Sequence, residues 1–336
     1  MRAYTIPAFG LENLALLERP EPVPGAGQVL VRVKAVSLNY RDLMVAKGQY
    51  NPRMPLPRVP CSDAAGEVIA VGPGVASAKV GDRVCGTFMQ TWTDGGLTEA
   101  VTASALGGAI DGVLAERVLL ADTGVVPIPD HLSYEEAATL PCAAVTAWHA
   151  LTVGFEAAGK TVLLQGTGGV SIFALHFARA LGARVLVTSG SDDKLGRALK
   201  MGADAGTNYR TNADWDRWAR EQTGGHGVDL VVEVGGAGTL ERSIKAVRHA
   251  GRVALIGVLS GAGGVNPIGI LMRGITVQGI YVGSREMFRA MNRVIERDRI
   301  RPVIDRVFPF ADAPAAFRHL EGAGHFGKVV IAVENA

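Results

Sequence analysis

Residues 166–171 read Gly-Thr-Gly-Gly-Val-Ser, and their neighbours give that run a chemical use. TVLLQG (161–166) is a short continuous apolar strand. VSIFALHFARAL (170–181) has helical periodicity, with Val170, Ala174, Phe177 and Leu181 on one stripe. Strand, glycine turn and helix N-terminus in that order form the fingerprint of a dinucleotide site. Gly166 permits the turn, and Gly168 lets the backbone approach a pyrophosphate. The free N–H groups of Gly169 and Val170, with the helix dipole behind them, hold the anion. Ser171 stands at the third fingerprint position, where glycine is usual, and is small enough for close helix–strand packing. A lone glycine pattern is weak evidence; the strand and helix around this one give it weight against a ligand-free turn.

The next strand, RVLVTS (184–189), ends in Ser189. A site for NAD commonly has Asp or Glu here, to bind the ribose 2′-hydroxyl. Lys194 lies just beyond, and Tyr209 and Arg210 follow the next strand-like segment. A missing carboxylate with cations nearby suits a 2′-phosphate, so NADP(H) is the expected cofactor. An ordinary exposed helix lysine is the plain alternative for Lys194.

These motifs lie in a chain of 336 residues with 43 glycines and 3 cysteines. That length suggests two domains of ordinary size and ample core without disulfides. Cys61, Cys85 and Cys142 form no CxxC pair, which excludes a zinc ribbon and makes a reducing cytoplasm the simplest compartment. The formal charge of +2 gives no global case for nucleic acid or an anionic membrane. No apolar run is long enough to span a bilayer, and the opening residues lack the order of a signal peptide.

The elements that must position these groups differ along the chain. The first third carries short apolar runs bounded by Gly, Pro or Asp (27–38, 64–75, 80–88 and 111–120), the pattern of a β-rich domain. Residues 89–110 read as a long excursion between them. Ser133 with Glu136 is a capping-box pair, and Pro141 must interrupt the helix that follows. From 161 strands and helices alternate: strands at 161–166, 184–189, 229–235, 252–258 and 276–283, with helices at 170–181, 193–202 and 239–249. Alternation with continuous apolar strands implies a parallel α/β sheet. A helix-like run from 286 precedes GKVVIAV, a strand that returns to the first domain. Strand 276–283 at a sheet edge hints at a homodimer.

Several segments together resemble one family across almost the whole chain: VSLNYRDLMVAKGQY (36–50), DAAGEVIAVGPGVASAKVGDRV (63–84), LPCAAVTAWHAL (140–151), QGTGGVS (165–171) and GHFGKVVI (324–331). The chain resembles the medium-chain dehydrogenase/reductase superfamily of zinc alcohol dehydrogenases and zinc-free quinone oxidoreductases. The resemblance implies a GroES-like catalytic domain split in sequence (1–130 and 286–336), a doubly wound Rossmann domain (131–285), and an active cleft between them. Zinc relatives use a Cys, a His-Glu pair and a second Cys. Here the matching positions hold Asn39, Ser62-Asp63 and Cys142, too few ligands for a catalytic zinc. The four-cysteine structural lobe has no counterpart in 89–110, so the expectation is no metal.

Without a Lewis acid, hydride transfer to a quinone or α,β-unsaturated carbonyl is easier to support than alcohol–ketone chemistry, because hydrogen-bond donors alone can hold its oxyanion. Asn39 and Tyr50 are the implied donors, with Tyr40 beside them. A turn-stabilising amide and a loop aromatic are the plain alternatives for Asn39 and Tyr50. The resemblance places Thr146 near the nicotinamide, Gly235, Gly257 and Val282 on the cofactor's far side, and Lys328 on the pyrophosphate. An NAD(P)-dependent alcohol or aldehyde dehydrogenase, and a nucleotide-binding protein without turnover, stay open. Trp92, in the excursion, either covers an aromatic substrate or packs the loop down.

Overall fold

A computed structural model describes residues 1–257, 259, 261 and 263–333. The chain forms two compact units: Met1–Val145 with Val282–Ala336, and Thr146–Tyr281. The first unit reaches beyond residue 130 because the next segment bonds to its strands. Arg83 Nη2 donates to Leu132 O at 2.6 Å, Cys85 Sγ to Ala137 O at 3.2 Å, and the Cys142 N–H to Asp63 Oδ2 at 2.9 Å. The capping box of Ser133 and Glu136 forms, and Pro141 falls in a π turn at Leu140–Ala144.

Nine of the first unit's strands are β1 (Arg2–Thr5), β2 (Ala15–Glu18), β3 (Gln28–Leu38), β4 (Asp63–Val71), β5 (Arg83–Gly86), β6 (Arg117–Ala121), β7 (Val125–Pro127), β14 (Ile304–Pro309) and β15 (Lys328–Ala332). β1 and β2 pair with each other, and the rest make one sheet in the order β14-β15-β3-β4-β5-β7. β3 is long enough to take two antiparallel partners along one edge. β6 pairs with its first half, and β15 with its second, Val329 opposite Leu38. The returning C-terminal strand is therefore where its sequence suggested. Residues 111–116 lie outside β6, because Gly112 presses on the chain at Pro60-Cys61; a Cβ there would meet Cys61 O at 2.1 Å.

The second unit carries β8 (Thr161–Gln165), β9 (Arg184–Ser189), β10 (Ala205–Asn208), β11 (Val228–Glu233), β12 (Val247–Leu255) and β13 (Thr276–Gly279). They form one parallel sheet ordered β10-β9-β8-β11-β12-β13. The order reverses between β8 and β11, which makes the sheet doubly wound with a switch point at the end of β8. Val162, Leu163, Leu164, Val231 and Val232 are fully buried, as continuous apolar strands covered on both faces must be.

The helix expected over 239–249 runs only Ala237–Ala246, because β12 begins at Val247. The strand expected over 276–283 ends at Gly279. Of the expected strand 252–258, Val258 lies outside the described residues. No helix among the described residues is long and apolar enough to cross a membrane.

Candidate functional site

The glycine turn opens at the switch point. Gly166 has φ +70°, and its N–H donates to Thr188 O at 2.8 Å. The helix Gly169–Ala180 starts from Gly168 with no side chain capping its N–H groups. Space is open where a Cβ would stand on Gly166 or Gly168. Ser171, at the third fingerprint position, is buried and donates to Gln165 O at 2.6 Å, so it pins helix to strand. Uncapped N–H groups facing open space at a helix N-terminus suit a pyrophosphate.

β9 and β10 bring the ribose candidates together. Tyr209 N–H donates to Ser189 O at 3.0 Å, and a Cβ on Gly190 would lie 2.5 Å from Tyr209 Oη and 3.1 Å from Arg210 Nε. Tyr209 and Arg210 are exposed; Ser189 is buried, and its Oγ accepts from Ser191 N–H. Lys194 lies in the first turn of the helix Asp192–Lys200, where its N–H reaches Ser191 Oγ at 3.4 Å. The nearby Asp192 carboxylate accepts from Asn208 Nδ2 at 2.7 Å.

On the other side of the switch point stands Glu233, a residue the motifs did not reveal. Its carboxylate is fully buried. Oε1 accepts from Gly235 N–H at 2.8 Å, Gly236 N–H at 3.0 Å and Thr239 Oγ1 at 2.5 Å. Oε2 accepts from Gln165 Nε2 at 2.7 Å and from Ser243 Oγ. Glu233 thereby ties the end of β8 to the turn after β11 that carries Gly235. Gly257 follows β12, where a Cβ would stand 1.7 Å from Val234 O, so only glycine fits. Thr146 is buried and opens the second unit. Val282, where the chain re-enters the first unit, is buried at φ +58°, a conformation that costs a β-branched residue about 1–3 kcal/mol.

The first unit holds the substrate-side candidates. Asn39 precedes the helix Tyr40–Ala46, and Asp42 Oδ2 accepts the Asn39 N–H at 2.8 Å, anchoring the helix start. The Asn39 side chain points elsewhere. Its Oδ1 accepts from Lys328 Nζ at 2.6 Å, and the same ammonium donates to Leu38 O at 2.6 Å. Asn39 is 8% exposed and Lys328 3% exposed, and the Asn39 side chain, its Nδ2 fully buried, favours the anion of the neighbouring Asp63 carboxyl. Lys328 is thus joined to Asn39.

Two buried carboxylates complete this cluster. Asp63 accepts from Ser62 Oγ at 2.6 Å and from the Cys142 N–H. Burial raises its carboxyl, against the pull of the Lys328 ammonium. Asp42 is pushed up to about 6, chiefly by burial, although Arg41 opposes the rise. A carboxyl raised in the folded state favours the fold while it is neutral. That contribution is whole below pH 4, and it is lost as pH rises from about 4 to about 6. A shift of this size corresponds to roughly 3 kcal/mol. Asp42→Asn keeps an oxygen for the Asn39 N–H. Its stability relative to wild type should therefore rise by roughly 3 kcal/mol between pH 4 and pH 7 in urea unfolding. A difference that stays flat would rule out titration of Asp42 in that window.

Arg41 connects the cluster to the aromatic candidates. Its guanidinium lies 5.2 Å from the Tyr50 ring centroid and 4.6 Å from that of Phe88, and Nη1 donates to Leu106 O at 2.7 Å. Tyr50 is held at the surface this way, 37% exposed, whereas Tyr40 is 46% exposed on the first helical turn. In the excursion 89–110 only Glu99–Thr102 is helical. Trp92 is 3% exposed, its Nε1 donates to Gly95 O at 3.0 Å, and its carbonyl accepts from the Arg285 N–H. Trp92 packs the loop down.

Comparison with known proteins agrees with this architecture. The model of the alcohol dehydrogenase GroES-like domain matches residues 25–130, and that of the zinc-binding dehydrogenases matches residues 169–297. A zinc-type alcohol dehydrogenase-like protein of Schizosaccharomyces pombe is 45% identical, covering 92% of this chain and 91% of its own. A quinone oxidoreductase of Sus scrofa is 31% identical, covering 92% and 90%. The crystal structure of an NAD-dependent alcohol dehydrogenase superposes with a TM-score of 0.90 at 36% identity, covering 99% and 100%.

A catalytic zinc, which the name of one matched model suggests, does not fit the donor set of this chain. The amide oxygen of Asn39 already faces an ammonium, and Ser62 donates to Asp63. With both domain models matched in order and curated relatives covered over nine-tenths of their length, the chain belongs to the medium-chain dehydrogenase/reductase superfamily and is an oxidoreductase of its alcohol dehydrogenase-like and quinone oxidoreductase-like kind.

Proposed function

We propose that this protein is a metal-independent, NADPH-dependent reductase of quinones or α,β-unsaturated carbonyl compounds. The observation that supports the reading is the neutral Asn39 amide, buried at the position where the family resemblance puts a zinc ligand and bonded to Lys328. When bound, the reduced nicotinamide supplies a hydride. For an enone, reduction at the β-carbon would leave negative charge growing on the carbonyl oxygen, and that oxygen is what this chain's donors would have to hold. Asn39 Nδ2 donates to that oxygen as its charge grows, Tyr50 Oη is the second donor, and Tyr40 borders the acceptor. Water then supplies the proton to the α-carbon. Donors already in place lower the barrier because they need no reorganisation.

The cofactor would rest on Gly166, Gly168, Gly169 and Val170, with Ser189, Lys194 and Tyr209 around the ribose. Arg210 supplies the cation for a 2′-phosphate. Thr146, Gly235, Gly257 and Val282 would line the nicotinamide end. The NAD-dependent relative shares the fold, so the strand ends must decide the preference. Arg210→Ala should weaken NADPH about tenfold and leave NADH within twofold, read by fluorescence titration. Tighter binding of NADH by the wild type would overturn the preference.

The function itself is tested by NADPH oxidation against quinones, enones and aldehydes, with metal analysis of the same sample. Stoichiometric zinc together with secondary-alcohol oxidation would favour a dehydrogenase. Tight NADPH binding without turnover would favour a nucleotide-binding role. We also propose a homodimer along β13, the outer strand, ahead of which Ile268, Leu271 and Met272 are exposed; sedimentation velocity showing a monomer would exclude it. A cytoplasmic setting follows from three free cysteines, and secretion of the native protein with a disulfide would contradict it.

A further inference from the structure

We infer that Gln165 is a positioning residue for the dinucleotide: its side-chain amide bridges β8 and β11 where their ladder stops, and so sets the width of the crevice that the cofactor crosses. The inference rests on the proposed cofactor site. In a doubly wound sheet the ligand lies outside the strand ends at the switch point, where neighbouring connections leave in opposite directions. The register shows the strands parting there. β8 pairs with β9 as far as Gln165 opposite Thr188, but with β11 only as far as Leu164 opposite Val232. Past that rung the β8 main chain bonds towards β9, with Gly166 N–H on Thr188 O. The β11 main chain bonds towards β12, with Glu233 O accepting from Ile256 N–H at 2.9 Å and Gly257 N–H at 3.2 Å.

The Gln165 side chain spans the gap, and it is 5% exposed. Oε1 accepts from Val234 N–H at 3.2 Å and Gly235 N–H at 3.4 Å, while Nε2 donates to Glu233 Oε2 at 2.7 Å and Ser243 Oγ at 2.6 Å. These partners permit one orientation of the amide. Its nitrogen turned to Val234 would set donor against donor, and its oxygen turned to Glu233 would set acceptor against acceptor. A side chain thus replaces the rung that the diverging main chains no longer make. Gln165 O also accepts from Ser171 Oγ at 2.6 Å, which ties the same residue to the helix behind the glycine turn. Gln165 therefore fixes the turn at Gly166 relative to the turn that carries Gly235. A dinucleotide reaching from one turn to the other must fit that separation. A mononucleotide held on the β9 side need not.

The test compares the Kd of NADPH with that of adenosine 2′,5′-bisphosphate, which reaches only the β9 side, by calorimetric titration. Gln165→Met is close in size but makes none of the side-chain bonds. It should weaken NADPH about tenfold and leave the bisphosphate within about twofold. Exchanging the two residues, Gln165→Glu with Glu233→Gln, keeps every bond. The carboxylate at 165 takes the Val234 and Gly235 N–H groups and Ser243 Oγ. The amide at 233 keeps its oxygen on Gly235, Gly236 and Thr239 and turns its nitrogen to that carboxylate. The exchanged variant should bind NADPH within about threefold of wild type, whereas Gln165→Glu alone, which opposes two carboxylates, should weaken it by about tenfold. The exchange keeps the test decisive if Gln165→Met does not fold. An exchanged variant that fails to fold or to recover NADPH would overturn the inference. Equal losses for the two ligands, or an unaffected Gln165→Met, would do the same. A wild type that binds neither ligand would instead remove the cofactor site beneath it.

Discussion

Asn39→Ala should lower kcat for an enone by about 10²–10³-fold while the NADPH Kd stays within twofold. Loss of one oxyanion donor costs about 2.7–4 kcal/mol in transition-state stabilisation. The start of the helix should survive the change, at the cost of one of the two bonds to the buried Lys328 ammonium. The bond that anchors the following helix comes from the Asp42 carboxylate to the Asn39 backbone N–H, and alanine keeps that group. The comparison variant is Asn39→Asp at pH 8, which restores an acceptor for Lys328 but offers no donor to the substrate. Both variants should be slow. An aspartate variant with wild-type kcat would show that Asn39 serves only as a partner of Lys328.

The second large effect is expected at Glu233, in stability. Its two oxygens accept from five groups, two of them backbone N–H. Glu233→Gln replaces one acceptor by an NH₂ of nearly the same size. With that NH₂ on the Oε1 side it opposes the Gly235 and Gly236 N–H groups. On the Oε2 side it opposes Gln165 Nε2, and Gln165 cannot turn freely because its Oε1 accepts from Val234 and Gly235 N–H. Every arrangement leaves a buried donor without an acceptor. The cost is about 3 kcal/mol, or a fall of roughly 4 °C in Tm for a chain of 336 residues. NADPH should stabilise the variant less than it stabilises wild type, because the loosened turn carries Gly235. An unchanged Tm by calorimetry would mean that the network rearranges without loss.

The contrast between these sites explains what the sequence could disclose. The glycine turn was legible because its signal is local: strand, turn and helix follow one another within residues 161–181, and Gly166 adopts the positive φ its position demands. The doubly wound sheet was legible for the same reason, as each parallel strand announces itself by a continuous apolar run. Asn39 could be singled out only through family resemblance, since an asparagine before a helix looks like a cap. Its true partner is a lysine 289 residues away, and no spacing rule connects the two. Glu233 was hidden differently. A glutamate closing an apolar strand suggests a solvated strand end, and only the convergence of Gln165, Thr239 and Ser243 on it reveals a buried anion. Asp42 did leave a sign, the N-x-x-D spacing of a capping pair with Asn39, but nothing in it foretold full burial. The short helices Tyr40–Ala46 and Trp215–Glu221 left too little periodicity to see.

The late arrival of β15 has a consequence for how the protein comes into being. The nucleotide-type unit is one continuous stretch, so its sheet can close as soon as its own residues leave the ribosome. The other unit must wait. The edge of β3 that carries Leu38 and Asn39 stays without its neighbour until the whole intervening unit has been made. Long-separation pairings of this kind form slowly, because a large loop must close before they are rewarded. The continuous unit can thus close first during synthesis, and the sheet edge that carries Asn39 is completed only when β15 has been made.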